Sequence, residues 1–260
     1  MRVVLTAGFD RALHAVALAE LVRRAGHVVA AVLVVQPLQT RRVRQWLRQR
    51  GARSLFDAAR RLLGASGARS ADRRMEEFLR AHGIVERSLR QWCRRHAVEL
   101  RRVRDLNAPT ALEALRSARA DGVLYAGGGI LRRGFLEAAR GRVLNAHSGP
   151  LPAVRGMNAC EWSLLLGHAP SVTIHVIDEG LDTGGVLEQI RIERDSSDTI
   201  DTLRGKCVVA GVEGLLRALG PLEGPLPTRS NAASSARQCF TLAPVLRELL
   251  EEQLGRGGAS

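Results

Sequence analysis

Apolar positions set the first elements of the chain. Arg2-Val-Val-Leu-Thr6 is a β-branched run broken by Gly8, which predicts a strand. From Phe9 to Ala25 the apolar residues Leu13, Val16, Ala17 and Leu21 recur at helical spacing, and Gly26 supplies a stop. His27 to Val35 is an unbroken apolar run, as expected of a strand covered on both faces. Strand, helix and strand in that order form a βαβ unit, so the pattern predicts a parallel α/β sheet. The turn Thr6-Ala-Gly-Phe-Asp10 lacks the G-x-G-x-x-G spacing of dinucleotide binders, and no G-x-x-x-x-G-K-[ST] phosphate loop occurs.

Residues 39–97 carry less pattern. Arg41, Arg44 and Arg48 share one helical face, read as a solvated basic helix ahead of an anion-binding one. Ala65 to Ala71 reads as a small-residue loop, and helical pieces flank Gly83 with Met75, Phe78 and Leu79 facing the core. Ala97 to Val103 alternates loosely, as a strand does. Further helices are predicted over Ala108–Ala120, Ile130–Arg140, Asn158–Leu166, Thr199–Leu219 and Ala243–Leu254, with Trp162 packed against the sheet. Further strands are predicted over Asp121–Ala126, Arg142–Asn145, Ser171–Val176 and Val186–Ile192.

Composition changes this picture little. A chain of 260 residues, 45% hydrophobic and 25% charged, matches an ordinary globular protein. The formal charge of +13 invites a nucleic-acid partner. Lys206 is the only lysine, however, so 38 of the 39 basic residues are arginines, and they are scattered. That scatter reads as compositional bias, and nucleic acid is not an expected partner. Cys93, Cys160, Cys207 and Cys239 lie far apart with no C-x-x-C pair. They match neither a zinc pattern nor a disulfide framework, so reduced thiols and no metal are expected. The apolar run Val28–Val35 falls well short of the ~20 residues that span a bilayer. Met1-Arg-Val-Val-Leu5 is too short for an apolar targeting region. A cytoplasmic protein without membrane contact is the expectation.

The chemistry gathers in two polar stretches. Asn145 ends a predicted strand and His147 stands two residues on, so on an extended backbone their side chains project to the same side. Gly149, Pro150 and Pro152 then turn the chain away. Asp182 lies in the Gly-rich loop Asp178-Glu-Gly-Leu-Asp-Thr-Gly-Gly185 between two strands. In open α/β sheets such strand ends hold ligands. An Asn can donate to an oxyanion, a His can move a proton near neutral pH, and an Asp can orient the His. Acyl transfer to an amine needs these parts, and no Ser or Cys nucleophile is required if the amine itself attacks. Singly, each residue has a plainer reading as a turn former or structural side chain.

The ordered set resembles the folate-dependent formyltransferase family, which includes glycinamide ribonucleotide, methionyl-tRNA and amino-sugar N-formyltransferases. The matching pieces are Asn145-Ala-His147, Leu151-Pro152, Arg155-Gly156, Val172-Thr-Ile-His175, Asp178-Glu-Gly-Leu-Asp-Thr-Gly184 and Gln189, within about residues 120 to 195. The resemblance implies a Rossmann-like, mostly parallel twisted sheet with helices on both faces, here with a short C-terminal helical tail. It divides the chain into a catalytic α/β domain over 1–195 and a helical extension over 196–260 packed on it. It implies that Asn145 donates to the developing oxyanion, His147 assists proton movement and Asp182 orients His147 and helps take the amine proton. The donor would be 10-formyltetrahydrofolate. Its head group would pack, mainly on backbone, between Gly128, Gly129, Ile130 and Leu131 on one side and Ile177, Glu179, Leu181 and Asp182 on the other. Ser148, Arg155 and Asn158 would face the acceptor, Arg155 equally as an anion binder or as a brace for its loop. His175 is read as a supporting or sheet-facing residue, and His168 as part of a surface turn.

Two departures concern the substrates. The family usually has His-Pro-Ser-Leu-Leu-Pro where this chain has His147-Ser-Gly-Pro-Leu-Pro152. Gly127-Gly-Gly129 replaces a segment that normally carries a larger side chain, which predicts more room or more flexibility beside the pterin. The resemblance therefore implies formyl transfer to the primary amine of a small molecule, an amino sugar or a specialised metabolite. Methionyl-tRNA is disfavoured, since that branch carries a substantial C-terminal domain and only a few tens of residues follow Pro227. Hydrolysis of the folate donor and a non-catalytic, polyanion-binding use of the same fold stay open, as does a homodimer.

Overall fold

The computed structural model describes residues 1–35, 69–220, 226–232 and 237–256. Arg41, Arg44, Arg48 and most of the stretch read as a small-residue loop lie outside these residues.

Seven strands form one sheet in the order β3-β2-β1-β4-β5-β7-β8. They are β1 (Arg2–Ala7), β2 (Val28–Val35), β3 (Glu99–Val103), β4 (Gly122–Ala126), β5 (Val143–His147), β7 (Ser171–Val176) and β8 (Val186–Arg191). From β3 to β5 every pairing is parallel, whereas β7 pairs antiparallel with β5 and β8 antiparallel with β7. The mostly parallel α/β sheet expected from the pattern is thus present. Two short strands, β6 (Val154–Gly156) and β9 (Arg237–Cys239), pair in parallel apart from it. They have no counterpart in the sequence reading, because three residues carry no period to read.

Alternation along the strands feeds two cores. Val3, Leu5, Ala7, Val32 and Val34 join one cluster with α1 (Leu13–Arg24), α2 (Arg69–Ala81), α3 (Leu89–Arg95), α7 (Ile200–Arg217) and α8 (Pro244–Arg256). Val4, Ala31, Leu33 and Val35 join a second with α4 (Pro109–Ser117) and α5 (Arg133–Ala138). Helices therefore cover both faces, and each fully buried Leu or Val contributes roughly 1.5–3 kcal/mol of apolar transfer. Met75 and Leu79 are buried as expected, and Phe78 is half-buried against the same core. α2 begins at Arg69, inside the stretch read as a loop. α1 begins at Leu13 and not at Phe9, because Asp10 is engaged elsewhere: its carbonyl and carboxylate accept the N–H groups of Leu89 and Arg90. The four cysteines are free and buried. No described helix is long and apolar enough to cross a membrane.

Two helices shape the site. α7 starts on a capping box in which Thr199 Oγ1 accepts the N–H of Thr202 and Thr202 Oγ1 accepts that of Thr199. It then lies close on the sheet through Gly211, whose position leaves no room for a Cβ beside Ala146. α6 (Ala159–Leu165) follows β6. Its Trp162 packs on the small cluster of Val154, Ala159 and Cys239 and donates Nε1–H to the Phe240 carbonyl at 2.8 Å. It therefore rests against the two-stranded sheet and not the seven-stranded one.

Candidate active site

Strand register assembles the centre of the site. Asn145 on β5 sits directly across from His175 on the antiparallel β7, and His147 sits across from Thr173. Asn145 Nδ2 and His175 Nε2 are 3.0 Å apart, and His175 Nδ1 lies 2.8 Å from the Val176 carbonyl oxygen. A carbonyl accepts only, so Nδ1 of His175 carries the proton and Nε2 accepts from the Asn145 amide. Burial, aided by the nearby His147, holds the His175 imidazole down to about 4, so it stays neutral at ordinary pH. One Asn145 N–H is thereby fixed, and the other has no protein partner among the described residues.

The same reasoning assigns His147. Its Nε2 is 2.9 Å from the Val154 carbonyl oxygen, so Nε2 bears a proton and Nδ1 is the basic atom. Nδ1 faces Asp182 Oδ2 at 3.5 Å, and Asp182 Oδ1 lies 3.8 Å from His175 Nε2. Both imidazoles are buried and stand edge-on, centroids 6.2 Å apart.

Asp182 comes to this place by a route that the sequence does not suggest. β7 runs opposite to β5, so the loop after it starts at the far edge, where Ile177 N–H bonds the Val143 carbonyl. The loop doubles back, and Gly184 packs so tightly on Val176 that a Cβ would overlap its carbonyl oxygen. Asp182 itself sits at φ +52°, a conformation costly for a residue with a Cβ. Three contacts hold it there. Gly156 N–H donates to Oδ2 at 2.8 Å, and Asn231 Nδ2 donates to the carbonyls of Asp182 and Gly184, each at 2.8 Å.

The two loops expected to flank a pterin lie side by side. Arg133, at the start of α5, is 3.9 Å from Glu179 in the Asp182 loop. Leu131 is buried and Ile177 half-buried in the second core, while Ile130 is 80% and Leu181 44% exposed. Gly127, Gly128 and Gly129 all take positive φ, and the Tyr125 hydroxyl closes their turn, accepting from Gly129 N–H at 3.1 Å and donating to Gly129 O at 2.8 Å. The extra room expected there is only partly present. A Cβ on Gly128 would meet Leu106 Cδ1 at 2.5 Å, whereas one on Gly129 would meet nothing within 4 Å.

On the other side of Asn145 and His147 lies a cavity of about 370 Å³ whose wall includes Ser148, Asn158, Glu161 and Arg204. An adjoining cavity of about 280 Å³ shares Asn145 and Ser148 and is lined by Leu18, Val212 and Leu215. Gly149 permits the close approach, since a Cβ there would lie 2.9 Å from that of Ala159 and 3.2 Å from His147 Nε2. Ser148 and Asn158 line this cavity. Arg155 does not, and of its two expected uses its contact matches the brace. It lines an outer cavity with Arg229, and its Nη2 donates to the Asn231 carbonyl at 2.6 Å, so it braces the loop. His175 is more than sheet-facing, since it touches both Asn145 and Asp182. Asn231, Glu161 and Arg204 are new. A Pro-rich tail, a helix interior and a crowd of other arginines give no signal that would single them out.

Comparison with known proteins decides the family. The model of the family described as formyl transferase matches residues 2–219. The chain belongs to the formyl transferase family. It is 33% identical over 181 residues to the methionyl-tRNA formyltransferase of Anaeromyxobacter dehalogenans strain 2CP-1, 68% of this chain and 55% of that protein. The chain thus spans about half the length of the curated relatives it matches. Among solved structures, glycinamide ribonucleotide transformylase 1 from Symbiobacterium toebii shares the fold with a TM-score of 0.59 at 20% identity, over 89% of this chain and 92% of that one. The sugar 3N-formyl transferase WlaRD, solved in the presence of dTDP and 5-N-formyl-THF, shares it with a TM-score of 0.56 at 13% identity, over 92% of this chain and 69% of that one.

Proposed function

We propose that the protein transfers a formyl group from 10-formyltetrahydrofolate to the primary amine of a small acceptor. The observation that carries this reading is the joined pair of contacts, Asn145 to His175 and His147 to Asp182, at the wall of a ligand-sized cavity. The acceptor would enter that cavity, over Ser148 and Asn158. The folate ring would rest on the loops that expose Ile130 and Leu181, apolar flanks suited to a flat ring, with Gly129 open beside them.

The folate supplies an activated formyl carbon when bound. The acceptor nitrogen forms the new C–N bond to that carbon, and the bond from carbon to the folate nitrogen breaks. Asn145 directs its unpartnered N–H at the formyl oxygen as negative charge grows there. His147 Nδ1 takes the proton that the attacking amine loses, and Asp182 Oδ2, facing that atom, stabilises the imidazolium. The same proton is available for the departing folate nitrogen, so the step needs no other acid. Neutral His175 keeps the Asn145 amide from rotating.

The test is purified protein with 10-formyltetrahydrofolate and a panel of amines that includes amino sugars, amino acids, glycinamide ribonucleotide and methionyl-tRNA, with formamide and formate both measured. A formamide of a small amine is the expected product. Formate alone would support hydrolysis, and formylation of methionyl-tRNA alone would overturn the small acceptor. His147→Ala and Asp182→Ala are expected to lower turnover by roughly 10²–10⁴ while leaving folate binding in place. Wild-type rates in both would refute the assigned roles.

A further inference from the structure

Glu161 and Arg204 form a charged wall in the cavity at His147, and no step of the reaction above uses it. Glu161, on α6, is 1% exposed. Its Oε1 accepts from the Arg204 guanidinium on α7 and from Asn158 Nδ2 at 3.0 Å. A buried ion pair of this kind gives the fold little that well-packed apolar residues would not give. What it does provide is a guanidinium held in one place. Arg204 leaves 32% of its side chain exposed and makes no other hydrogen bond among the described residues. Its other N–H donors have no partner among the described residues, and its side chain lines the cavity.

We infer that Arg204 recognises an anionic group, a carboxylate or a phosphate, carried by the acceptor, and that Glu161 is the positioning residue that fixes it. This rests on the reading that the cavity takes the amine acceptor. The neighbouring spaces narrow the choice. The adjoining cavity that shares Asn145 offers apolar walls and His14, whose imidazole burial holds below its ordinary value and so uncharged. Arg155 and Arg229 line a space that contains neither Asn145 nor His147. Among the described residues Arg204 is thus the cation that lines the cavity beside Asn145 and His147. A planar fork suits either anion through two parallel hydrogen bonds. The acceptor class is then an amine bearing its own negative charge, with any apolar part turned toward Leu18 and Val212.

Calorimetric titration of the full chain without folate tests this with matched probes: glucosamine 6-phosphate against glucosamine, and β-alanine against ethylamine. The wild type is expected to bind at least one anionic member about tenfold or more tightly than its neutral counterpart. Arg204→Gln should erase that preference, and Arg217→Gln, whose guanidinium pairs with Glu188 outside the cavity, should keep it. Because Arg204→Gln strands the buried Glu161 carboxylate, the double variant Glu161→Gln/Arg204→Gln, which removes both charges, is measured too and should also lose the preference. No preference in the wild type, or a preference that survives in both Arg204 variants, overturns the inference. Because no formyl chemistry is involved, a protein that prefers the anionic probes yet forms no formamide would refute the proposed reaction and leave the anion site standing.

Discussion

His175 makes the protein sensitive to acid in a defined window. Its ring is 1% exposed, and its pKa falls from 6.5 to about 4, first because burial penalises the charged ring and then because His147 stands nearby. At 1.36 kcal/mol per pKa unit the gap is worth roughly 3 kcal/mol. The unfolded chain takes up the proton more readily across that interval, so the contribution is complete above about pH 6.5 and lost as the pH falls through about 4. His175→Gln removes the titration but keeps a carbonyl able to accept from Asn145. Urea unfolding of both proteins at pH 7 and pH 4 measures the effect. The wild type should lose about 3 kcal/mol more than the variant over that interval, because the parallel loss from His14 occurs in both. Equal losses would refute the assignment of a buried neutral imidazole. At pH 7 the Gln variant should keep most of its turnover, whereas His175→Ala, which frees the Asn145 amide, should lose about 10–100-fold.

Gly156→Ala should lower stability by about 2–4 kcal/mol, since the residue sits at φ +96° and a Cβ would overlap the Cys239 carbonyl. Turnover should fall with it, because the same residue's N–H holds Asp182; an unchanged urea midpoint would count against the geometry. Glu20→Gln should cost about 2–3 kcal/mol at pH 7, because the buried carboxylate accepts from Arg23, Arg24 and Trp92 Nε1. Those contacts, Arg23 first, hold its pKa at about 2 against an ordinary 4.5, so the difference between the two proteins should narrow as pH falls below 4.5 toward 2. A constant difference would exclude that origin.

What could be read from the chain alone follows a physical division. Asn145 and His147 are legible because residues two apart on a strand share a side, and Asp182 because a Gly-rich loop between two strands is a local signal. The sheet is legible because a doubly covered strand such as Val28–Val35 is apolar throughout. The partners of these residues are not. His175 meets Asn145 only through antiparallel register, which depends on where β7 begins. Asn231 reaches Asp182 from far along the chain, and Arg204 is one arginine among 38. Such contacts arise from tertiary placement, and no period or spacing encodes them.

The hold of Asn231 on Asp182 gives the role proposed for that carboxylate a stability of its own. Among the described residues the segment around it is tied down by few bonds: the paired backbone contacts of Arg229 with Val186, the two from the Asn231 amide and the one from Arg155. Among its described residues Leu226 is the one that packs against a large core, so the opening costs far less than global unfolding. On warming, the carboxylate should therefore come loose while the sheet is still intact, and the protein would stop working well before it melts.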